Sequence, residues 1–232
     1  MGLNILDLLF PKRCVSCGAF GKYICNKCFL EIEFVEKPIC PICQRQAIGG
    51  KIHPKCAGKF RLDGLVVACN YKGPIKFAVR KVKYKWVYDI EKVLVDLLAS
   101  QIWKFDLPQK SILVPIPLHK KRKNWRGFNQ AEILAKTLSK KFNVSYSDSL
   151  IRTIDTKTQV GLTRDERKDN VKGAFSLRLS RHPELDSGSR LRDKNVILVD
   201  DVYTSGATMM EASKVLKKAA AKNVWAMAVA LG

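Results

Sequence analysis

The 232-residue sequence has no apolar run close to the roughly 20 residues that a helix needs to cross a bilayer, so no membrane span is expected. It also has few acidic residues: 21 Asp and Glu stand against 42 Lys and Arg, and the formal net charge is +21. Such a positive field favours polyanionic partners, either nucleic acid, phosphorylated small molecules or an anionic membrane face. The alternative is a protein whose lysines only solvate its surface.

The N-terminal apolar segment, residues 3–10, lacks the basic lead of a secretory signal and carries Asp7 inside its apolar pattern. We therefore expect a short helix packed on the protein and a cytoplasmic location. With 47% hydrophobic residues the chain is globular rather than disordered. Its length suffices for one sizeable core and a small additional module.

Seven of the eight cysteines lie between Cys14 and Cys56. They include three Cys-x-x-Cys pairs, and in a cytosolic protein such pairs indicate zinc rather than disulfides, because each presents two thiolates to one tetrahedral ion. Two sequential four-ligand sites can be composed from Cys14, Cys17, Cys25 and Cys28, and from Cys40, Cys43, His53 and Cys56. An interleaved pairing of the first and third pairs would instead give one site and leave spare thiols.

A module this small cannot fold by apolar burial alone, so the metal would supply its folding free energy. We place the end of this zinc-binding module at residue 60, where apolar alternation resumes, and a second domain over residues 61–232. Cys69 stands apart inside an apolar strand, predicted over residues 65–71, and is expected to be a core residue.

A basic cluster follows this strand, on a helix that begins after a Gly-Pro turn. Its aromatic neighbours are Tyr84, Trp86 and Tyr88, and a second, amphipathic helix is predicted over about residues 87–103. Charge interleaved with aromatics suits a strand of nucleic acid. An equally supported alternative is that the aromatics belong to the core and that the cations face solvent. The candidate nucleic-acid residues are Arg80, Lys81, Lys83 and Lys85.

One stretch combines a buried strand with the chemistry of a phosphosugar site. Residues 196–199 are apolar and mostly β-branched, and Asp200 and Asp201 follow them. This pattern predicts a buried parallel strand that runs into a loop and then into a helix over about residues 207–220. The loop and the helix start consist of Thr204, Ser205, Gly206, Ala207 and Thr208.

Gly206 lets the backbone come close to a ligand, the hydroxyl groups can donate to phosphate oxygens, and the helix directs its unpaired N–H groups toward an anion. Two carboxylates would repel phosphate, so we assign Asp200 and Asp201 to ribose hydroxyls or to Mg²⁺ on a pyrophosphate. The alternative is an ordinary turn in which the acidic pair caps the helix.

Residues 196–208 resemble the phosphoribosyl pyrophosphate (PRPP) signature of type I phosphoribosyltransferases. Together with the Cys-x-x-Cys pairs, Val-Pro-Ile-Pro-Leu at 114–118 and Arg-Gly-Phe-Asn-Gln at 126–130, they resemble the ComF family of competence proteins over nearly the full chain. The resemblance implies an N-terminal double zinc ribbon and a phosphoribosyltransferase-like domain that binds PRPP with Mg²⁺. It also implies a role in the uptake or handling of single-stranded DNA in natural transformation, with a DNA-uptake helicase or a membrane channel as a partner.

The resemblance also implies roles for individual residues. Asp200 and Asp201 are expected to be catalytic and to bind ribose, residues 204–208 to bind the 5-phosphate, and the basic loop after a strand at 111–117 to receive pyrophosphate. A mobile lid is implied near residues 164–175, and Arg152, Thr158 and Gln159 also fit the family. The expected pyrophosphate ligands are Lys120, Lys121, Arg122, Arg126, Arg164 and Arg167.

Alternating strands and helices predict an α/β fold with a doubly wound parallel sheet and its ligand at the carboxyl ends of the strands. Residues 180–190 depart from the family pattern and are interpreted as an inserted surface loop. Any acceptor pocket would need the zinc module or the helices of residues 74–103. The competing functions are a base-salvage phosphoribosyltransferase and a nucleic-acid adaptor without turnover, and whether PRPP is consumed is left open.

Overall fold

The computed structural model describes residues 11–82, 89–156, 163–178 and 191–232. Its centre is a five-stranded sheet in which every pairing is parallel. In spatial order the strands are β1 (Gly64–Asn70), β7 (Asn223–Leu231), β6 (Asn195–Tyr203), β2 (Ser111–Pro115) and β3 (Ser145–Tyr146). A separate antiparallel pair joins β4 (Leu150–Arg152) and β5 (Phe175–Leu177).

Helices cover both faces of the sheet. They are α1 (Asn26–Leu30), α2 (Gly73–Val82), α3 (Ile90–Ala99), α4 (Lys120–Arg126), α5 (Gln130–Phe142), α6 (Arg164–Val171) and α7 (Ala207–Lys218). Side chains of α2, α3 and α5 form a buried cluster on one face, and α7 packs on the other face with β4 and β5. None of the described helices is long and apolar enough to cross a membrane. The predicted doubly wound α/β architecture is confirmed.

The central strands are apolar throughout because they are buried on both faces. Along β1, Leu65 and Val67 point into one core cluster, whereas Val66 and Ala68 point into the other. Cys69 is fully buried in the same strand, as predicted. The acidic pair that ends the apolar run of β6 therefore emerges at the carboxyl edge of the sheet, between β2 and β7.

Two predicted elements differ from the structure. The amphipathic helix expected over residues 87–103 begins only at Ile90, because Asp89 has a left-handed backbone with φ of 66°, and it ends at Ala99. The basic loop expected after β2 is itself helical, since residues 120–126 form α4. The predictions for residues 3–10 and 180–190 lie outside the described residues.

The cysteine-rich segment precedes β1 and lies against the sheet. Between its two halves, Val35 N–H donates to the carbonyl of Ala68 at 2.8 Å and Asn70 N–H donates to the carbonyl of Glu33 at 2.8 Å. The chain between the two halves thus runs along the outer edge of β1 and satisfies backbone groups that an edge strand would otherwise leave open. The division into domains at residue 60 stays a prediction.

Candidate functional site

The loop between β6 and α7 occupies the centre of the carboxyl edge of the sheet. Gly206 is in the left-handed region with φ of 74°, and α7 begins at the next residue. A Cβ built on Gly206 would lie 2.2 Å from the hydroxyl oxygen of Tyr203, so only glycine fits both this conformation and this space. The first backbone N–H groups of α7 follow directly, which gives the loop the polarity of an anion site.

The acidic pair is held in place from a neighbouring helix. Asp201 is buried, with 8% of its surface exposed, and Asp200 is half-buried. Gln130 Nε2 donates to a carboxylate oxygen of Asp201 at 3.2 Å, and Asp201 N–H donates to a carboxylate oxygen of Asp200 at 2.9 Å. Arg126 in turn donates to the side-chain oxygen of Gln130 at 2.7 Å. The two carboxylates are therefore set into a polar network rather than exposed as a helix cap.

The Arg-Gly-Phe-Asn-Gln stretch builds this network. Gly127 ends α4 in a left-handed conformation with φ of 80°. Asn129 then caps α5: its side-chain oxygen accepts from Ala131 N–H at 3.1 Å, while its amide donates to the carbonyl of Ile116 at 3.0 Å. These constraints place Gln130, the first residue of α5, against Asp201. The local structure therefore explains the glycine, asparagine and glutamine of this motif.

The predicted pyrophosphate residues of α4 do not all point the same way. Lys120 and Lys121 are exposed, whereas Arg122 and Arg126 are half-buried. Arg122 donates to the backbone carbonyl of Thr156, and Arg126 is engaged with Gln130. The structure therefore divides these cations into a solvent-facing pair and a pair that is anchored near the acidic residues.

A further arginine, which no sequence pattern assigned to the site, lies close to this anchored pair. Arg152, at the end of β4, donates to the Thr156 hydroxyl. Burial and the nearby Arg122 guanidinium lower the pKa of Arg152, and the charges of Asp200 and Asp155 oppose that shift. Its Nε is buried without a hydrogen-bond partner among the described residues. Only its place in the family resemblance pointed to Arg152, because an isolated arginine after a short strand has no periodic signal.

His119 completes this group of polar side chains. It precedes α4, and its Nδ1 lies 3.5 Å from a carboxylate oxygen of Asp155, which is also 3.8 Å from Nε of Arg122. Asp155 is half-exposed, so water screens these ion pairs. Two guanidinium groups next to one such carboxylate leave a surplus of positive charge beside Asp200, which suits an anionic ligand.

The implied lid is described only in part. Thr163 and Glu166 form a capping box that starts α6, and this helix packs against α7. Arg167 is half-buried on α6. Arg164 begins the helix, but its side chain lies outside the described residues, as do Thr158 and Gln159.

The cysteine-rich segment forms two metal-binding groups in sequential order. In each group the four ligand atoms lie within 4.8 Å of one another, and no described group mixes the two sets. Zn–S bonds of about 2.3 Å in a tetrahedron place sulfur atoms about 3.8 Å apart. Cys17 and Cys25 sulfurs are 3.6 Å apart, which fits zinc. The residues that could hold the metal are Cys14, Cys17, Cys25 and Cys28 in the first ribbon, and Cys40, Cys43, His53 and Cys56 in the second.

Groups around the ligands prepare them for the metal. His53 Nε2 lies 2.9 Å from the carbonyl of Gln46, so the proton belongs on Nε2 and the lone pair of Nδ1 is directed toward Cys43, 3.3 Å away. Burial raises the pKa of Cys56 to about 11. Burial acts in the same direction on Cys14, but backbone N–H donors outweigh it and lower its pKa to about 6. Because zinc binds the thiolate, its binding to Cys56 must displace the thiol proton.

The second ribbon lies against the loop after β6. Tyr203 donates its hydroxyl to the carbonyl of Pro41 at 2.6 Å, and Gln44 Nε2 donates to the carbonyl of Thr204 at 2.8 Å. A cleft of about 460 Å³ opens beside this contact, between the ribbon, α6 and α7. Its polar lining consists of Arg61, Lys168, Asp169, Lys172, Ser205, Glu211 and Lys214.

The candidate nucleic-acid residues are placed by α2. Arg80 and Lys81 are exposed on the face opposite to the buried Ile75 and Val79. Phe77 lies one turn before them and is 44% exposed, so a large apolar ring accompanies the cations. Lys83, Lys85 and the three aromatics of residues 84–88 lie outside the described residues.

Comparison with known families defines the class of protein. A family model described as a double zinc ribbon domain matches residues 5–57, and a model described as a phosphoribosyl transferase domain matches residues 127–231. The first range contains both metal-binding groups, and the second contains α5, the acidic pair and the loop before α7. The chain is therefore a phosphoribosyltransferase-type domain preceded by a double zinc ribbon.

Individual relatives make the assignment more specific. Competence protein F of Haemophilus influenzae is 27% identical over 90% of this chain and 98% of its own length. DNA utilization protein YhgH of Escherichia coli K12 is 29% identical over 95% of this chain and 98% of its own length. Competence protein ComFC of Bacillus subtilis is 27% identical over 83% of this chain and 77% of its own length. The chain is a homologue of these proteins, and the predicted resemblance to the ComF family is confirmed.

Proposed function

We propose that this protein binds PRPP with Mg²⁺ at the carboxyl edge of its sheet and acts in the handling of single-stranded DNA during competence. The observation that carries the proposal is the acidic pair, which Gln130 holds next to a glycine-containing loop at the start of α7. A pair of carboxylates beside an anion-binding loop suits a ligand that has hydroxyl groups next to a phosphate. The ribose 5-phosphate end of PRPP has this arrangement.

In this proposal each part of the loop has a separate task. Asp200 and Asp201 accept hydrogen bonds from the ribose hydroxyls. The backbone N–H groups and hydroxyls of residues 204–208 bind the 5-phosphate, together with the positive end of the α7 dipole. Bound Mg²⁺ would neutralise the pyrophosphate and assist its departure. The acidic pair and the pyrophosphate oxygens are the groups that would hold this ion.

Pyrophosphate is assigned to the cationic side of the site. Arg122 and Arg152 both donate hydrogen bonds to Thr156, and the negative charge of Asp200 acts to raise the pKa of Arg152. Two fixed guanidinium groups suit the tetrahedral oxygens of a diphosphate, and Lys120 and Lys121 extend the positive surface toward solvent. Arg126, Arg164 and Arg167 remain further candidates, although the described contact of Arg126 is with Gln130.

If PRPP is consumed, the bond between ribose C1 and the pyrophosphate oxygen breaks and its electron pair leaves with pyrophosphate. The ribosyl centre then carries positive charge, which the neighbouring carboxylates stabilise, while the cations stabilise the leaving group. The acceptor that supplies the new bond to C1 is not assigned. A nucleobase as acceptor would make the protein a base-salvage enzyme, and no acceptor would make it an adaptor.

The connection to DNA rests on two independent supports. Two of the relatives are named competence proteins and a third is named a DNA utilization protein. The exposed face of α2 adds two cations and Phe77, a combination that can bind phosphates and stack on bases. A DNA-uptake helicase or membrane-channel partner is proposed from the competence role alone, as is a cytoplasmic location.

The test is calorimetric titration of PRPP and Mg²⁺ into the wild type and into the double variant Asp200→Asn/Asp201→Asn. Asp96→Asn/Asp148→Asn, in which both carboxylates are exposed, is the matched control for the loss of two negative charges. Pyrophosphate release is followed in the same samples with single-stranded DNA, with free nucleobases and with neither. Absence of binding to the wild type would refute the PRPP site. Release that requires one nucleobase would establish base salvage instead.

A further inference from the structure

The second zinc ribbon is bonded to the loop after β6 through two side chains. The Tyr203 hydroxyl donates to the carbonyl of Pro41 at 2.6 Å, and Gln44 donates to the carbonyl of Thr204 at 2.8 Å. Pro41 lies inside a Cys-x-x-Cys pair, and Gln44 comes directly after that pair. Both hydrogen bonds therefore start or end in the turn that carries two of the four zinc ligands.

The geometry of that turn depends on the metal. Gln44 has a left-handed backbone with φ of 57°, which is unfavourable for a residue with a side chain. Its N–H donates to the carbonyl of Cys40 at 3.0 Å and so closes the turn around the sulfurs. Without an ion to hold Cys40 and Cys43 together, little would keep Gln44 in this conformation, and its amide would lose its position over the loop.

The contact with Tyr203 reaches the ligand-binding part of the loop. Tyr203 is 1% exposed, so its hydroxyl is shielded from bulk water and donates to the carbonyl of Pro41. A Cβ on Gly206 would lie 2.2 Å from the same hydroxyl oxygen, which shows how closely the backbone of Gly206 passes over it. The position of Tyr203 therefore fixes where Gly206 turns and where the first N–H groups of α7 begin.

We infer that the second ribbon holds residues 203–206 in their ligand-binding conformation, and that zinc in this ribbon and a phosphate ligand at the loop stabilise each other. Tyr203 and Gln44 are the positioning residues of this coupling. The inference rests on the proposed function, in which the loop binds the phosphate end of PRPP. Coupling between two binding sites is reciprocal, so a ligand that is bound better when zinc is present must also retain zinc.

The first ribbon is the internal control. Its buried ligands Cys14 and Cys28 belong to the core cluster that contains α2 and α3, whereas Tyr203 belongs to the cluster on the opposite face of the sheet. The two described hydrogen bonds between a zinc ribbon and residues 203–206, from Tyr203 to Pro41 and from Gln44 to Thr204, both involve the second ribbon. A ligand at the loop should therefore leave the metal of the first ribbon unaffected.

The experiment follows metal release from each ribbon of the full-length protein. Co²⁺ in place of zinc distinguishes the two sites, because four thiolates and three thiolates with one imidazole give different absorption bands. The chelator 4-(2-pyridylazo)resorcinol is added with and without ribose 5-phosphate, a probe that needs no Mg²⁺. At equilibrium with the chelator, we expect the ligand to raise the apparent Co²⁺ affinity of the second ribbon on the order of 5- to 100-fold and to leave that of the first unchanged.

Variants test the positioning residues directly. Tyr203→Phe keeps the ring beneath Gly206 and removes the hydroxyl, so it should weaken ribose 5-phosphate binding about 2- to 10-fold and increase the fraction of metal released from the second ribbon at equilibrium. Gln44→Ala should act in the same direction. Tyr146→Phe, in which the ring lies at the distant edge strand β3, is the matched control and should change neither quantity.

Calorimetry of ribose 5-phosphate binding separates the two ways in which this scheme can fail. If the ligand binds but protects neither ribbon, or protects both equally, the coupling is refuted and the proposed function stands. If the wild type does not bind the ligand, the proposed function falls and the coupling falls with it. Unchanged binding and metal release in Tyr203→Phe would refute the role of the hydroxyl.

Discussion

Gln130, the first residue of α5, donates a hydrogen bond at 3.2 Å to Asp201, which lies 71 positions later near the end of β6. This bond joins the two stretches on which the family resemblance rests, Arg-Gly-Phe-Asn-Gln and the acidic pair. This hydrogen bond is buried, so loss of its donor costs more than the loss of a solvent-exposed hydrogen bond. The orientation of Asp201 toward a ligand therefore depends on a residue of another helix.

Gln130→Ala is predicted to weaken binding of ribose 5-phosphate about 10-fold or more, because hydrogen bonds to charged groups contribute about 1.5–3 kcal/mol. Isothermal calorimetry measures this, and urea unfolding separates it from a general loss of stability. Gln101→Ala, a surface residue after α3, is the control. Equal affinity in Gln130→Ala and the wild type would show that Gln130 only packs the helix.

Gly206→Ala tests the crowding beneath the loop. The added methyl group would meet the Tyr203 hydroxyl at 2.2 Å in a backbone with φ of 74°. Gly173→Ala is the matched control, because Gly173 has φ of 68° and nothing within 4 Å of the added carbon. The control should lose about 1 kcal/mol of unfolding free energy from backbone strain alone.

Gly206→Ala should lower the free energy of unfolding more than Gly173→Ala does. It should also abolish ribose 5-phosphate binding, whereas the control should retain it. Urea unfolding with calorimetry on both variants makes the comparison. Equal effects of the two substitutions on stability and on binding would contradict the close packing of Tyr203 under the loop.

Arg152 can be tested with two ligands that occupy different parts of the site. Arg152→Met should weaken binding of pyrophosphate about 10-fold or more, since a charged hydrogen bond is lost, and should leave ribose 5-phosphate binding nearly unchanged. Arg178→Met, an exposed arginine after β5 that pairs with Asp148, is the control. If Arg152→Met weakened both ligands alike, the residue would support the site as a whole rather than bind pyrophosphate.

Cys69 should be the unreactive thiol of the protein. It is fully buried in β1, and burial raises its pKa to about 12, so at pH 8 on the order of 0.01% is thiolate. After zinc is stripped from the protein, the ribbons lose the metal that supplies their folding free energy, so we expect the other seven cysteines to react rapidly with a disulfide reagent. Cys69 should react only on unfolding in urea. Eight rapid thiols in the native, zinc-free protein would contradict its place in the core.

The elements that the sequence revealed are those with a local cause. The apolar run before Asp200 predicted β6, because a strand that is buried on both faces appears in the sequence as a continuous apolar run. The cysteine spacing indicated zinc ligands but left two sequential sites and one interleaved site open, and the structure groups the ligands sequentially. In contrast, Arg152 and Gln44 act through contacts with residues distant in the chain, and their neighbours in sequence contain no repeat that marks them.

The α4 helix shows a different limit. Residues 120–126 carry five cations and no acidic residue, a composition that predicts a solvated basic loop rather than a helix. The helix forms because Gly127 supplies the left-handed turn at its end and Asn129 starts the next helix directly afterwards. Local capping thus outweighs charge repulsion, which water and the nearby Glu132 reduce.

The DNA-binding surface is tested by salt dependence. If phosphates contact α2, the logarithm of the affinity for single-stranded DNA should fall linearly with the logarithm of the salt concentration. Arg80→Glu/Lys81→Glu should then reduce that slope by roughly one to two, because each lost phosphate contact contributes about 0.7 on a single strand.

The matched control for that pair of charge reversals is Lys140→Glu/Lys141→Glu at the end of α5, which changes the net charge equally. Fluorescence anisotropy at several salt concentrations gives the slopes. If α2 is a specific DNA-binding surface, its variant should reduce the salt dependence of the affinity more than the control does. Equal flattening would mean that the net charge of +21 attracts DNA without a defined site, and α2 would then have no special part in binding.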